Sequence, residues 1–237
     1  MTPPRNSNEL GNRLLLSLPK ATLTRLLPAL ELRTTTKGVV IKRMDQPVEH
    51  YYFVNRGLIS LLKTMHDGRS VEIGVVGIEG FPSPHTLFGL NRAATDAIVQ
   101  IPGNAFCIRR DDLMHFMAED ARLYEALENY AHFAYSAVAQ TAACNRLHLL
   151  EARCCRWLLV SHDSARSDNF QLTHEFLAMM LGVQRSGVSA AASALQKKGL
   201  IRYLHGQVSV TNRAGLEERA CECYAAMQKE YENLTRA

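Results

Sequence analysis

The sequence predicts an α+β chain with an N-terminal β-roll and flanking helices, then a long dimerisation helix, then a C-terminal winged helix. Three observations lead there. All eight prolines fall at or before Pro102, so the following 135 residues are free of the strongest helix breaker. Eight of the fourteen glycines lie between Gly38 and Gly103, at intervals suited to turns between short strands. From about Asp111 the apolar residues change to a helical period. The expected divisions are 8–117 for the roll, 118–145 for the dimerisation helix and 146–237 for the winged helix with a C-terminal helix.

The leading segment from Glu9 to Leu30 carries leucines at helical spacing, interrupted at Pro19 and Pro28, and reads as short helices packed on the roll. Strands are expected at Val39–Ile41, Tyr51–Val54, Leu58–Leu62, Val71–Val76, Ala97–Ile101 and Ala105–Ile108, all short and rich in β-branched or aromatic residues. Asp67-Gly68 marks a hairpin between two of them. Leu123, Leu127, Tyr130, Ala134, Ala137, Thr141 and Cys144 then repeat at alternating steps of 4 and 3, which predicts a seam for self-association, with packing of this face on the chain's own barrel as the alternative.

The segment 172–201 carries the functional signal. Thr173 is suited to cap a helix that runs to about Leu181, and Gly182 supplies a turn. Gln184-Arg185-Ser186 opens a second helix with Val188, Ala191, Ala192 and Leu195 on its inner face, ended by Gly199. Such a pair is the helix-turn-helix pattern, whose second helix must offer its first turn to base edges in the major groove. The expected base contacts are Gln184, Arg185, Ser186 and Ser189; an arginine forks onto guanine N7 and O6, and a glutamine reads adenine. Thr173, Lys197, Lys198, Arg202 and His205 are the expected phosphate contacts. Residues 200–210 read as a hairpin turning at His205-Gly206, which makes the motif winged. Residues 146–213 carry a net +5, while the whole chain carries only +4. A basic region joined to a near-neutral one suits double-stranded DNA.

Composition excludes other classes. At 47% hydrophobic and 21% charged, the chain is an ordinary folded protein, and no stretch approaches the roughly 20 apolar residues of a membrane span. Residues 1–7 lack the apolar run of a secretory signal. Cys107, Cys144, Cys154, Cys155, Cys221 and Cys223 have no C-x2-C spacing. Buried reduced thiols, no metal site and a cytoplasmic location are therefore expected, with a redox or metal sensor as the alternative reading of the cysteines. No nucleophile elbow, zinc-protease motif or phosphate-binding loop occurs, so no enzyme is expected.

With these elements in this order, the chain resembles the Crp/Fnr family of bacterial transcription regulators over nearly its whole length. The run Val138–His148 resembles a proteobacterial subgroup. The resemblance implies a homodimer on a near-palindromic promoter site, contact with RNA polymerase, and a roll of cyclic-nucleotide-binding type. A sensor module that regulates a protein partner without DNA is the alternative.

Two departures qualify what the resemblance implies. Ser186 and Ala190 replace a Glu and a second Arg of the best-known recognition helix, so a different operator is implied. The effector residues that correspond to the family's pattern are Gly77, Glu79, Gly80, Arg92 and Ala93. Glu79 and Arg92 are thirteen residues apart and Ala93 offers no hydroxyl. The usual cyclic-AMP mode is therefore not expected, and the effector is unknown. No iron–sulfur cluster is expected, because the first 106 residues hold no cysteine. His85 is the single candidate haem ligand.

Overall fold

The computed structural model describes residues 10–165 and 167–236. The expected roll start at residue 8, the leading-helix residue Glu9, and positions 166 and 237 of the C-terminal region lie outside the described residues.

Helices α1 (Arg13–Ser17) and α2 (Lys20–Leu26) lead the chain, followed by a 3-10 turn at Leu27–Ala29. The prolines act as expected: Pro19 stands at the start of α2, and Pro28 lies inside the 3-10 turn. Asn12 ties this segment to the roll. Its side-chain oxygen accepts from Leu15 N at 3.0 Å, and its amide donates to Val54 O at 2.8 Å and Gly80 O at 2.9 Å.

The roll is a five-stranded antiparallel sheet of β1 (Glu31–Thr35), β2 (Val40–Lys42), β3 (His50–Thr64), β4 (Ser70–Val76) and β5 (Asp96–Arg109), in the order β1-β5-β3-β4 with β2 also on β5. The hairpin at Asp67-Gly68 joins β3 to β4. The strands differ from expectation in two ways. The four short strands expected at 51–62 and 97–108 are two long ones, because Gly57 and Gly103 are not turns. They lie where β3 and β5 cross closely. A Cβ on Gly57 would meet Ile101 O at 2.5 Å, and one on Gly103 would meet Arg56 O at 2.1 Å. The pairing register shifts through this stretch, so the glycines mark bulges that bend a continuous ribbon. The second difference is β1, whose polar Glu-Leu-Arg-Thr-Thr sequence gives little strand signal but which pairs with β5 at the sheet edge.

Helix α3 (Arg110–Glu119) leads to α4 (Ala121–Leu147), capped by Asp120, whose carboxylate accepts from Arg122 N and Leu123 N. Beyond α4 lie α5 (Leu150–Ala165), β6 (Asn169–Gln171), α6 (His174–Leu181), α7 (Arg185–Lys197), β7 (Ile201–Leu204), β8 (Gln207–Val210), α8 (Arg213–Arg219) and α9 (Cys223–Arg236). Strands β6, β8 and β7 form a small antiparallel sheet.

The expected seam is corrected in part. Leu123, Leu127 and Tyr130 are each 1% exposed and packed in the roll-side core with Phe81 and Phe133. Cys144 is equally buried, beside Cys221 and Cys223. Four of the seven residues thus face the chain's own interior. The periodicity reports burial against the roll and the C-terminal segment, which demands the same spacing as a partner helix. The face of α4 left exposed carries Tyr124, Glu128, His132, Tyr135, Ala139 and Ala142, with Tyr135 73% exposed.

The roll and the C-terminal helices share a core. Leu58, Leu62 and Ile101 pack with Trp157, Leu158 and Leu177. Trp157 Nε1 donates to Glu72 Oε1 at 3.0 Å, joining α5 to β4. Among the described residues, no helix is long and apolar enough to cross a membrane.

Candidate nucleic-acid interface and roll interior

Helices α6 and α7 form the helix-turn-helix. Thr173 Oγ1 accepts from Phe176 N at 3.2 Å, which caps α6. Gly182 ends α6 at φ 62°, a left-handed conformation that costs glycine little. Gln184 is the N-cap residue of α7, which buries Val188, Ala191, Ala192 and Leu195. With that face fixed in the core, the first turn must point outward. Gln184, Arg185 and Ser186 are all exposed.

Two of the expected contacts are tied back within the motif. Ser189 is half-buried, and its hydroxyl lies 2.9 Å from His174 Nδ1, so it holds α7 against α6. Arg185 Nε lies 3.3 Å from Glu175 Oε1, with both side chains largely exposed. That pair is worth little in solvent and can open to another acceptor.

The wing is β7 and β8, with Tyr203 paired to Val208. The turn residues His205 and Gly206 have φ 47° and 77°. Positive φ at both central residues is the mark of a tight hairpin turn that matches strand twist. Tyr203 stacks on His174 at 4.3 Å, and its hydroxyl donates to Leu172 O at 2.7 Å, so the wing braces α6. Among the phosphate candidates, Thr173, Lys197, Lys198, Arg202 and His205 are exposed. Lys198 is paired with Glu151 of α5 at 2.5 Å.

The expected effector residues do not gather into one cradle. Glu79 turns inward, where Oε1 accepts from Gly77 N at 2.7 Å and burial pushes its carboxyl pKa up. Arg92 is exposed, and no ion pair joins it to Glu79 among the described residues. Ala93 is buried, and its backbone pairs with Gln46 O and Asp45 N. Gly80 makes room for a neighbouring ring, since a Cβ there would lie 1.9 Å from the Tyr130 side chain. Tyr130 of α4 sits on this glycine, and its hydroxyl bridges Phe81 N at 3.0 Å and Phe81 O at 3.1 Å. Phe81 packs on Tyr51, Phe53 and Tyr130 with ring centroids 4.6–5.4 Å apart. Aromatic rings thus occupy the space beside Gly80, and the loop 77–81 is mechanically coupled to α4. His85 is exposed, with Nε2 3.4 Å from Arg92 O.

Two cavities are lined by none of these residues. One of about 430 Å³ is lined by Val48, Glu49, His50, Asn91, Arg109 and Arg110. Another of about 620 Å³ lies between Thr34–Lys37 of the roll and Asn169–Gln171 of the wing sheet.

The geometry also runs against the expectation of no metal site. Cys144, His148, Cys221 and Cys223 place four ligand atoms within 4.8 Å of one another. The C-x3-H and C-x-C spacings are visible in the sequence, but nothing local announces that the two meet across 77 positions.

A β-roll joined by a long helix to a basic winged helix defines a DNA-binding transcription regulator. Residues 32–120 match the cyclic nucleotide-binding domain, and residues 152–219 match the Crp-like helix-turn-helix domain. The chain is 26% identical to the transcriptional regulator SdrP of Thermus thermophilus over 180 residues, 73% of this chain and 85% of that protein. Its fold is similar to that of FixK2 from Bradyrhizobium japonicum, with TM-score 0.67 and 18% identity over 81% of this chain and 98% of that one. It is also similar to a Crp/Fnr-family transcriptional regulator from Eubacterium rectale, with TM-score 0.68 and 16% identity over 90% and 98% of the two chains. The chain belongs to the Crp/Fnr family of transcription regulators.

Proposed function

We propose that the chain regulates transcription as a homodimer on a near-palindromic duplex site, with α7 of each copy in the major groove and RNA polymerase as the further partner. The observation that carries this reading is the first turn of α7, where Gln184, Arg185 and Ser186 are exposed while the opposite face is locked in the core. Arg185 and Gln184 read bases, and Ser186 lies beside them. Ser189 contributes chiefly by fixing the angle between α6 and α7. Thr173, Lys197, Arg202 and His205 contact phosphates, and Lys198 does so when it leaves Glu151.

The dimer forms through the outer face of α4, which carries Tyr124 and Tyr135 and, beyond Tyr135, the small residues Ala139 and Ala142 that allow close helix approach. The domain organisation follows: a sensing roll at 8–117, a dimerising helix at 118–145 and a DNA-binding region at 146–237. A signal at the roll acts through loop 77–81, since Tyr130 cannot keep its seat on Gly80 if that loop moves. The dimer then shifts between two spacings of its recognition helices.

Selection of binding sites from random duplex DNA tests this. Inverted half-sites about 34–36 Å apart are expected. A single unpaired half-site, or no enrichment, would contradict the reading.

A further inference from the structure

At the C-terminal end of α4, three cysteines and a histidine from two distant stretches meet. Cys144 lies in the last turn of α4 and His148 is its C-cap. Cys221 and Cys223 flank Glu222 where α8 hands over to α9. Cys144 Sγ is 3.5 Å from Cys221 Sγ, and Cys223 Sγ is 3.5 Å from His148 Nδ1. The cysteines are 0%, 7% and 0% exposed.

These distances suit one shared tetrahedral centre. Zinc–sulfur bonds of about 2.3 Å and zinc–nitrogen bonds of about 2.0–2.1 Å require S···S near 3.8 Å and S···N near 3.5–3.6 Å. The surroundings fit as well. His148 Nε2 lies 3.0 Å from Glu222 Oε2, which holds the proton on Nε2 and leaves the Nδ1 lone pair facing the sulfurs. Gln140 Nε2 donates to Cys223 Sγ at 2.9 Å, the kind of contact that steadies a bound thiolate.

We propose that Cys144, His148, Cys221 and Cys223 bind one divalent ion of the zinc class in a closed four-ligand site. A disulfide between Cys144 and Cys221 would use two of the four groups and leave the approach of His148 to Cys223 without a purpose. An iron–sulfur cluster spreads its thiolates over several irons, whereas these four ligand atoms lie within 4.8 Å of one another, a set compact enough for one ion.

With three sulfurs and one nitrogen, no coordination position stays open for a substrate, so the site clamps and does not catalyse. Its place says what it clamps. It joins the end of α4 to the segment entering α9, and α9 runs back along α4 until Tyr231 packs on Phe133 at 5.2 Å and under Arg13 at 4.4 Å. The ion therefore fastens the C-terminal segment to the helix from which α5 and the DNA-binding region depart. The site stands on its own geometry and does not depend on the operator reading.

The full-length chain, reduced and stripped of metal, is titrated with Co²⁺ and then Zn²⁺. One Co²⁺ per chain should bind, with the visible d–d bands and near-ultraviolet charge-transfer band of tetrahedral thiolate cobalt. Zn²⁺ should displace it and protect three thiols from alkylation. Cys223→Ser should abolish the bands. His148→Ala and Glu222→Gln, both at solvent-reachable positions, should fold and weaken Co²⁺ binding, the latter by about 10–100-fold. Cys107→Ala, on β5, should bind as the parent does. Reduced chain that gives no cobalt bands would overturn the proposal. So would iron with acid-labile sulfide in the isolated protein, or a Cys144–Cys221 disulfide in chain prepared without oxidant.

Discussion

Glu72 sits inside the junction between the roll and the DNA-binding region, and its replacement by glutamine has a calculable effect. The carboxyl group is buried, and burial pushes its pKa from 4.5 up to about 7. Trp157 Nε1 donates to Oε1, while Oε2 finds no hydrogen-bond partner. The folded state thus holds a proton that the unfolded chain releases at lower pH. Stability from this group is present below pH 4.5 and is lost as pH rises to about 7, with no further change above. A shift of that size corresponds to about 3 kcal/mol between the two limits. Glu72→Gln keeps an acceptor for Trp157 and removes the titration. Trp157 is the chain's single tryptophan, so its fluorescence reports on this contact directly. Urea unfolding followed through Trp157 should show parent and variant converging near pH 4 and the variant about 3 kcal/mol more stable at pH 8. Equal stability of the two at pH 8 would refute the buried-carboxylate reasoning.

The other consequences separate packing from association. Leu127→Ala, at a position 1% exposed, should cost about 2–5 kcal/mol and lower Tm by roughly 6–12 °C for a 3 kcal/mol loss, read by calorimetry. Tyr135→Asp, on the exposed face of α4, should leave Tm within about 2 °C at low concentration yet weaken self-association in sedimentation, since surface changes cost little in the folded chain. Gly80→Ala should destabilise by about 3 kcal/mol in urea unfolding, because the new methyl group meets the Tyr130 ring and that ring is boxed in by Phe81. Thr173→Ala should cost about 1 kcal/mol by loss of the α6 cap, measurable as earlier hydrogen exchange at Phe176.

The helix-turn-helix is legible because its signals are local. A capping threonine, a glycine turn, an inner face at helical spacing and a positive-φ hairpin pair each sit within a few residues of what they cause. The roll is legible as strands but not as a ribbon. Gly57 and Gly103 look like turn residues along the chain, and only their facing each other across β3 and β5 shows that they permit a close crossing. The seam on α4 is ambiguous for a related reason. A helix buries one stripe whether the other surface belongs to its own chain or to a second copy, and Leu123, Leu127 and Tyr130 bury theirs on the roll. Gly80 carries a family resemblance to a ligand loop, yet its small size is explained by the tyrosine seated on it. The cysteine cluster is illegible in principle from spacing alone, since His148 and Cys223 are brought together by tertiary packing of α9 on α4.

Base reading by the first turn of α7 is tested most directly by binding-site selection on the parent, Arg185→Ala and Lys197→Ala at fixed salt. A bidentate arginine–guanine contact provides about 1–3 kcal/mol of discrimination at one base pair. Arg185→Ala should therefore lose preference at a single position in each half-site and keep the rest of the selected sequence. Lys197→Ala should weaken all sequences alike and reduce the salt slope by about one. If Arg185→Ala instead selects the parent's sequence with undiminished preference at every position, then α7 does not read the DNA as its geometry requires.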